Sequence, residues 1–439
     1  MKKYFLLTFV CLCLTSVSFA QSVITLFNSA NEFFDRMREE KFQEAHAAFD
    51  ESVKTKLTEA NLKELWTRMA AEMGKAESLD AVQSRAQDEY FVVTVNGKFE
   101  KGEQNFLVVF NKTNKIVGLF LQPKSASAAY KLPAYADTAS YKEQQVYIQT
   151  PGHQLAAVIT TPKNRTRFPM VVMVHGSGPG DMDETVGANK PFKDLAAGLA
   201  SKGIGSVRYV KRTLIYQNEF GGAFTVKEEV LDDAVAALTM ARGVAGADPK
   251  QLYLLGHSLG GMLAPRIATL VPDLKGLVLA AAPARKLTDV IADQNRYAFS
   301  LVKDTTAEAK AGLQKALTEV ERSRISKIGT MKADSAILGL PAAYWADLNS
   351  YDQVALAKNL KQRILVIQGG NDFQVTETDY KIWENTLGKK KNATLKLYPT
   401  LNHLFSSQAA KGTMAQYQTA ANVDAALVID LANWISQPK

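Results

Sequence analysis

A serine set between glycines, Gly256-His257-Ser258-Leu259-Gly260, is the stretch of this chain best suited to covalent chemistry. Glycines two positions either side of a serine let the backbone turn sharply from a strand into a helix. The hydroxyl is then pushed out at the top of a sheet, where it can attack as a nucleophile. Three fixed residues in five recur by chance, so the flanks decide. Residues 252–255 form a short apolar run bounded by a glycine, as expected of a strand buried on both faces, and residues 262–270 carry helical spacing. Gly261 adds a small residue where that helix would pack on the sheet.

A serine nucleophile needs a base within reach and an acid to orient that base. The chain has five histidines. His46 falls in a separate N-terminal unit, while His153, His175 and His257 precede Ser258. Behind a strand-to-helix elbow the order is serine, acid, histidine. That order selects His403, in Leu401-Asn402-His403-Leu404-Phe405, just past the last expected strand. The acid should sit on the loop after the penultimate strand, where Gln368-Gly369-Gly370-Asn371-Asp372 offers Asp372 to accept from His403 Nδ1. Asp347, Asp352 and Asp379 compete. Asp379 falls on a helix and the other two in an insertion, so each reads as an ordinary solvated carboxylate.

The tetrahedral intermediate requires donors for its oxyanion. The N–H of Leu259 follows the nucleophile, and the loop His175-Gly176-Ser177-Gly178-Pro179-Gly180, after the strand at 170–174, supplies Ser177 N–H. His175 itself reads as structural, and no phosphate-cradle lysine follows these glycines.

The elements that must hold these groups emerge from periodicity. Strand patterns fall at 145–149, 155–160, 170–174, 204–209, 252–255, 276–280, 364–367 and 394–397, with helical patterns at 192–201, 226–242, 263–270, 377–387 and 414–435. Such alternation predicts a mostly parallel sheet with helices on both faces, over residues 143–439. The first two strands form its antiparallel start. Residues 284–361 are too long for a crossover and read as a helical cap, with a helix at 306–325. Its Tyr297, Phe299, Tyr344 and Trp345 fit either the wall of an acyl pocket or the core of the cap; Tyr344 and Trp345 are the candidate substrate contacts.

Ahead of this, residues 21–122 read as a small α+β domain, helices first and then strands at 90–95, 105–110 and 116–121 separated by Asn-Gly and Lys-Thr-Asn-Lys turns. Nothing in it looks catalytic. His46 has apolar neighbours and reads as a core or groove histidine. A Ser/Ala/Pro-rich linker is expected over 123–142. Residues 1–20, with Lys2 and Lys3 before a short apolar run and Ser18-Phe19-Ala20 at its end, read as an export signal. An exported, periplasmic or extracellular protein is the expectation.

Both cysteines, Cys11 and Cys13, lie inside that segment. A mature chain would have no disulfide, no thiolate metal ligand and no cysteine nucleophile. No metal or organic cofactor is implied. The net charge of +8 is scattered rather than gathered in a stripe with aromatics, so no nucleic-acid footprint is read, and no apolar run past the N-terminus is long enough for stable membrane insertion.

The second domain resembles the α/β-hydrolases. More narrowly it is similar to secreted bacterial esterases related to dienelactone hydrolases and serine aminopeptidase-like hydrolases, which carry HGSGP, GHSLGG, QGG-x-D-x-QV and LNHLF; here these begin at His175, Gly256, Gln368 and Leu401. The small domain resembles one often found before secreted bacterial hydrolases, in outline like the nuclear-transport-factor-like fold. The resemblance implies hydrolysis of small acyl esters by Ser258, His403 and Asp372 through an acyl-enzyme. A peptidase, amidase or acyltransferase using the same triad is the nearest alternative, and a non-catalytic binding protein the more distant one. Relatives carry Arg-Tyr-Asp-Lys-Arg after the fourth strand. Here the run is Arg208-Tyr209-Val210-Lys211-Arg212, so the bracing role of that aspartate is lost or taken elsewhere.

Overall fold

The computed structural model describes residues 23–87, 90–121, 130–302 and 306–437. The expected export signal lies outside them. Contacts divide the chain into two units, with the division between residues 125 and 126.

The first unit opens with α1 (Val23–Arg38), α2 (Phe42–His46), α3 (Glu51–Lys54) and α4 (Glu59–Met73). Helix α4 is fixed at its start by a reciprocal capping box between Thr58 and Asn61. The antiparallel meander β1 (Ala76–Gln87), β2 (Tyr90–Phe99), β3 (Gly102–Phe110) and β4 (Ile116–Leu121) follows. Phe33, Phe34 and Phe49 of the helical layer pack with Phe106 and Phe110 of the sheet. The Asn96-Gly97 pair does not make a turn. Both residues pair within β2, Gly97 opposite Gln104, and a Cβ on Gly97 would lie 2.7 Å from the Gln104 carbonyl. Crowding, rather than a turn, puts glycine there. His46 is half-buried, its Nε2 3.4 Å from the Lys54 carbonyl.

The second unit contains β5 (Tyr141–Thr150), β6 (His153–Pro162), β7 (Phe168–Val174), α5 (Pro191–Ala200), β8 (Gly205–Tyr209), α6 (Arg212–Ile215), α7 (Asp232–Arg242), β9 (Ala247–His257), α8 (Leu259–Leu270) and β10 (Gly276–Ala280). An insertion then supplies α9 (Leu287–Val302), α10 (Ala307–Arg322), the short ribbon β11 (Ala336–Ile337) and β12 (Leu340–Pro341), α11 (Ala342–Ser350) and α12 (Gln353–Asn359). The chain closes with β13 (Arg363–Gly369), α13 (Glu377–Leu387), β14 (Ala393–Tyr398) and α14 (Ala425–Ser436).

One 8-stranded sheet holds the order β14-β13-β10-β9-β7-β8-β6-β5. Strand β6 is antiparallel to both its neighbours and the remaining pairings are parallel. Every strand expected from the apolar pattern is present in it, and the architecture is that of an α/β-hydrolase. Alternation along the strands explains the layers: Leu252 and Leu254 of β9 enter the core beneath α7, α8 and α13, while Tyr253 and Leu255 enter the core beneath α5 and α14. Both faces are buried, so these strands read as unbroken apolar runs.

Four further departures from the sequence reading lie in the second unit. The pattern at 414–435 is not one helix but a single turn, Met414–Gln418, and α14. Asn189, far away in sequence, intercepts the Tyr417 carbonyl and the Ala421 amide and breaks it, and Asp424 caps the restart. The pattern at 226–242 begins as a wide π-type turn, Lys227–Leu231, before α7. The expected linker is only partly one. Residues 122–129 lie outside the described residues, but Tyr130 donates to Asp194, Tyr135 to the Val423 carbonyl and Asp137 N to Ser201 Oγ, so the rest of this stretch is built into the second unit. Lastly, Asp379 is not a solvated carboxylate. It is 0% exposed and accepts from the amides of Ala284 and Arg285 and from the Arg285 guanidinium, tying α13 to the start of the cap.

Gly260 shows how tightly the layers meet at the elbow. A Cβ there would lie 2.3 Å from the Val174 carbonyl and 2.6 Å from that of His175. We predict that Gly260→Ala lowers stability by about 2 kcal/mol or more through overpacking. Gly312→Ala, on exposed α10 with nothing within 4 Å of its new Cβ, should instead stabilise by about 0.5–1 kcal/mol. Thermal unfolding of the two variants checks the opposite signs.

Candidate active site

Ser258 sits between β9 and α8 with φ 52° and ψ −117°. A non-glycine residue in that region costs on the order of 1–3 kcal/mol, and persists only where its surroundings hold it. Its amide donates to the Ala280 carbonyl at 2.8 Å, anchoring the elbow to the end of β10. The hydroxyl is presented at the carboxyl edge of the sheet, on the border of a cavity of about 820 Å³.

Asp372 and His403 arrive from the ends of β13 and β14. Asp372 is 0% exposed and fully engaged. Its Oδ1 accepts from the amides of Gln374 (2.7 Å) and Val375 (2.9 Å); its Oδ2 accepts from Gln368 Nε2 (3.1 Å) and His403 Nδ1 (2.7 Å). A buried carboxylate so surrounded by donors is held immobile. The His403 loop is pinned by Asn402, whose side chain accepts from Leu404 N and Ser406 N and donates to Ser406 Oγ. His403 borders the same cavity as Ser258. The structure thus brings the histidine and the acid into hydrogen bond and the serine into their cavity, while no hydrogen bond joins Ser258 Oγ to His403 among the described residues. Such bonds commonly tighten only with substrate bound.

The other aspartates are occupied elsewhere. Asp347 meets Arg266 at 3.0 Å, Asp352 caps α12 through Ala355 N, and Asp379 holds Arg285.

Ser177 and the Gly176 backbone line the cavity opposite Ser258, and Leu259 begins α8, where amides lack intrahelical partners. His175 is buried, its Nε2 donating to the Asp181 carbonyl at 2.7 Å. Burial pushes its pKa down to about 4, so it is neutral near pH 7 and serves as a packed strut against Phe192 and Tyr209. Tyr344 and Trp345 are part of the core of the cap and also border the cavity. Each is 1% exposed, Trp345 Nε1 donates to the Ile337 carbonyl, and both border the cavity from the cap. Tyr297 is instead bound to the Gly412 carbonyl and stacked on Phe373; neither it nor Phe299 borders the cavity.

Sequence reasoning missed a buried pair beside His403. Glu184 Oε2 lies 3.0 Å from His257 Nδ1, an ionic approach poorly aligned for a hydrogen bond, since that nitrogen has no acceptor in line. Glu184 Oε1 accepts from Gly176 N at 2.7 Å, and His257 Nε2 donates to the His403 carbonyl at 2.9 Å. One acid–base pair therefore links the glycine loop, the elbow and the histidine loop. Burial opposes the charge on both partners, yet mutual attraction outweighs it: His257 is raised above 6.5 and Glu184 lowered below 4.5. A visible signal was the acidic run Asp181, Asp183, Glu184 after one strand facing the basic run Arg208, Lys211, Arg212 after its neighbour. Arg208 does pair with Asp183, and Lys211 with Glu229 at 2.6 Å. These contacts brace the loop where Val210 stands in place of the aspartate.

With His257 raised, its contribution to stability is complete below about pH 6.5 and is lost as pH climbs through the folded-state value. The Glu184 contribution is lost only as pH falls below about 4.5. His257→Gln, which leaves Glu184 buried without its cation, should cost roughly 3 kcal/mol near pH 6 and less near pH 9. Urea midpoints at the two pH values check this; equal losses would contradict a charged pair.

Comparisons with known proteins give the family. Residues 188–407 match the family described as serine aminopeptidase, S33, and residues 30–119 match a family described as a protein of unknown function (DUF3887). Esterase EstD of Thermotoga maritima is 36% identical over 403 residues, 92% of this chain and 93% of its own length. Among solved structures, Est1E of Butyrivibrio proteoclasticus is 15% identical with a TM-score of 0.43, covering 66% of this chain and 98% of that one. An esterase domain from a Rhodothermus marinus protein is 14% identical with a TM-score of 0.41, covering 67% and 97%. The identity across nearly the whole length of both chains, and the family match spanning the elbow, the acid loop and the histidine, place the chain: it belongs to the α/β-hydrolase esterases that carry the serine aminopeptidase S33 domain.

Proposed function

We propose that this chain hydrolyses carboxylic esters through an acyl-enzyme on Ser258. The observation that carries the reading is the 2.7 Å bond from His403 Nδ1 to buried Asp372, on the rim of the cavity that Ser258 also borders. That bond leaves His403 Nε2 free to act as base. In this reading Nε2 takes the proton as Ser258 Oγ attacks the acyl carbon, and the N–H groups of Ser177 and Leu259 stabilise the oxyanion. His403 then returns the proton to the leaving alcohol, and a water activated by the same Nε2 releases the acid.

Apolar side chains of the cap, among them Leu287, Val290, Ile291 and Leu340, wall the cavity, and at about 820 Å³ it suits a small or medium acyl group. The family description as a serine aminopeptidase keeps amide cleavage as a second reading. We propose further that residues 1–20 direct export, on the strength of Lys2, Lys3 and the short apolar run, and that residues 21–122 form a domain separate from catalysis.

Ser258→Ala should lower p-nitrophenyl ester turnover by about three orders of magnitude or more, with the fold unchanged, and should abolish labelling by a fluorophosphonate probe. A variant retaining near-normal turnover would overturn the nucleophile. Parallel assays with aminoacyl-anilides, and with an alcohol acceptor present, decide between ester cleavage, amide cleavage and acyl transfer.

A further inference from the structure

Lys211 has no part in the chemistry described so far, yet it is 3% exposed and reaches the peptide that carries one of the two amides assigned to the oxyanion. Its Nζ donates to the Gly176 carbonyl at 3.0 Å and to Glu229 Oε1 at 2.6 Å, and its own amide donates to the Gly180 carbonyl at 3.0 Å. Gly176 C=O and Ser177 N–H belong to a single planar trans peptide, so they point in opposite directions. Holding the carbonyl toward Lys211 turns the Ser177 N–H away from it. That amide donates to no acceptor among the described residues, whereas the preceding one, Gly176 N, is already spent on Glu184.

The position of this peptide relative to the nucleophile is tight. A Cβ on Gly176 would lie 3.1 Å from Ser258 Cβ and 3.7 Å from Ser258 Oγ. A side chain at Gly176 would therefore crowd the serine, and the loop backbone passes directly over it. The wide turn Lys227–Leu231 carries Glu229, 4% exposed, to the far side of the ammonium, giving the buried cation its counter-charge.

We propose that Lys211, held by Glu229, is a positioning residue for the oxyanion-binding amide of Ser177: it fixes the Gly176–Ser177 peptide with its N–H toward the cavity and polarises that N–H through the shared carbonyl. A charge-assisted bond to the carbonyl end of a peptide strengthens the donor at its other end. This rests on the reading that Ser258 attacks and Ser177 N–H receives the oxyanion. A lysine that merely braced the loop would affect folding and all ligands alike. One that orients the amide affects the tetrahedral state selectively.

The test uses the full chain with p-nitrophenyl butyrate as substrate, n-butylboronic acid as a tetrahedral mimic and butyrate as a ground-state competitor. Lys211→Met combined with Glu229→Gln leaves no unpaired buried charge. It should lower kcat by about 10- to 100-fold, with KM within about threefold, weaken boronate binding in proportion to kcat, and leave butyrate binding unchanged. Lys211→Gln combined with Glu229→Gln, in which the amide at 211 can still donate to the Gly176 carbonyl and no buried charge is left alone, should fall between this variant and the parent, and supplies the same comparison if the first double variant does not fold. A folded variant with kcat within about twofold of the parent, or boronate and butyrate weakened equally, overturns the proposal. Ser258→Ala separates the two readings. If boronate binds it as tightly as the parent, the nucleophile assignment fails; if boronate requires Ser258 but ignores Lys211, only the present inference fails.

Discussion

Charge taken out of water must be matched where it is buried, and around this cavity it is matched pair by pair. Asp372 faces His403, Glu184 faces His257, Lys211 faces Glu229 and Arg208 faces Asp183. Three of the pairs join the carboxyl ends of different strands or the loops that follow them, and Lys211–Glu229 closes the long connection after β8 on itself. The cost of leaving any one partner alone therefore locks those ends to each other, and the loops that carry chemistry are held by electrostatics as much as by packing.

The sheet makes that locking possible. Strand β9 pairs with β7 and with β10, so the elbow lies directly beside the glycine-rich loop after β7 and rests on the end of β10. Strands β13 and β14 lie beyond β10 in register and deliver acid and histidine to the same rim. Backbone approaches as close as those at Gly260 leave no room for side chains, and the strained angles at Ser258 are maintained by neighbours on both sides.

What could be read from the sequence and what could not divides along physical lines. Strands buried on both faces, such as β7, β10 and β13, announce themselves as apolar runs, which made the middle of the sheet legible, and chain order then selected His403 and Asp372. Features decided by distant partners were not legible. Asn189 breaks a helical pattern more than two hundred residues away, and Asp379 looked like a helix-surface acid until Arg285 was found against it. Tyr130 and Tyr135 lie in a stretch with linker composition, yet their hydroxyls dock on Asp194 and Val423. Glu184 and Lys211 belong to acidic and basic runs that are visible in the sequence, but their partners, His257 and Glu229, lie outside those runs.

Catalysis by this route requires Ser258, His403 and the amides of Ser177 and Leu259 to meet around one acyl group. A crystal structure of the full chain after reaction with a p-nitrophenyl alkylphosphonate tests it most directly. The account predicts phosphorus bonded to Ser258 Oγ, one phosphoryl oxygen about 2.7–3.1 Å from both amides, and His403 Nε2 within hydrogen-bond reach of the adduct. Phosphorus on another residue, or a phosphoryl oxygen turned away from Ser177 N and Leu259 N, would contradict it.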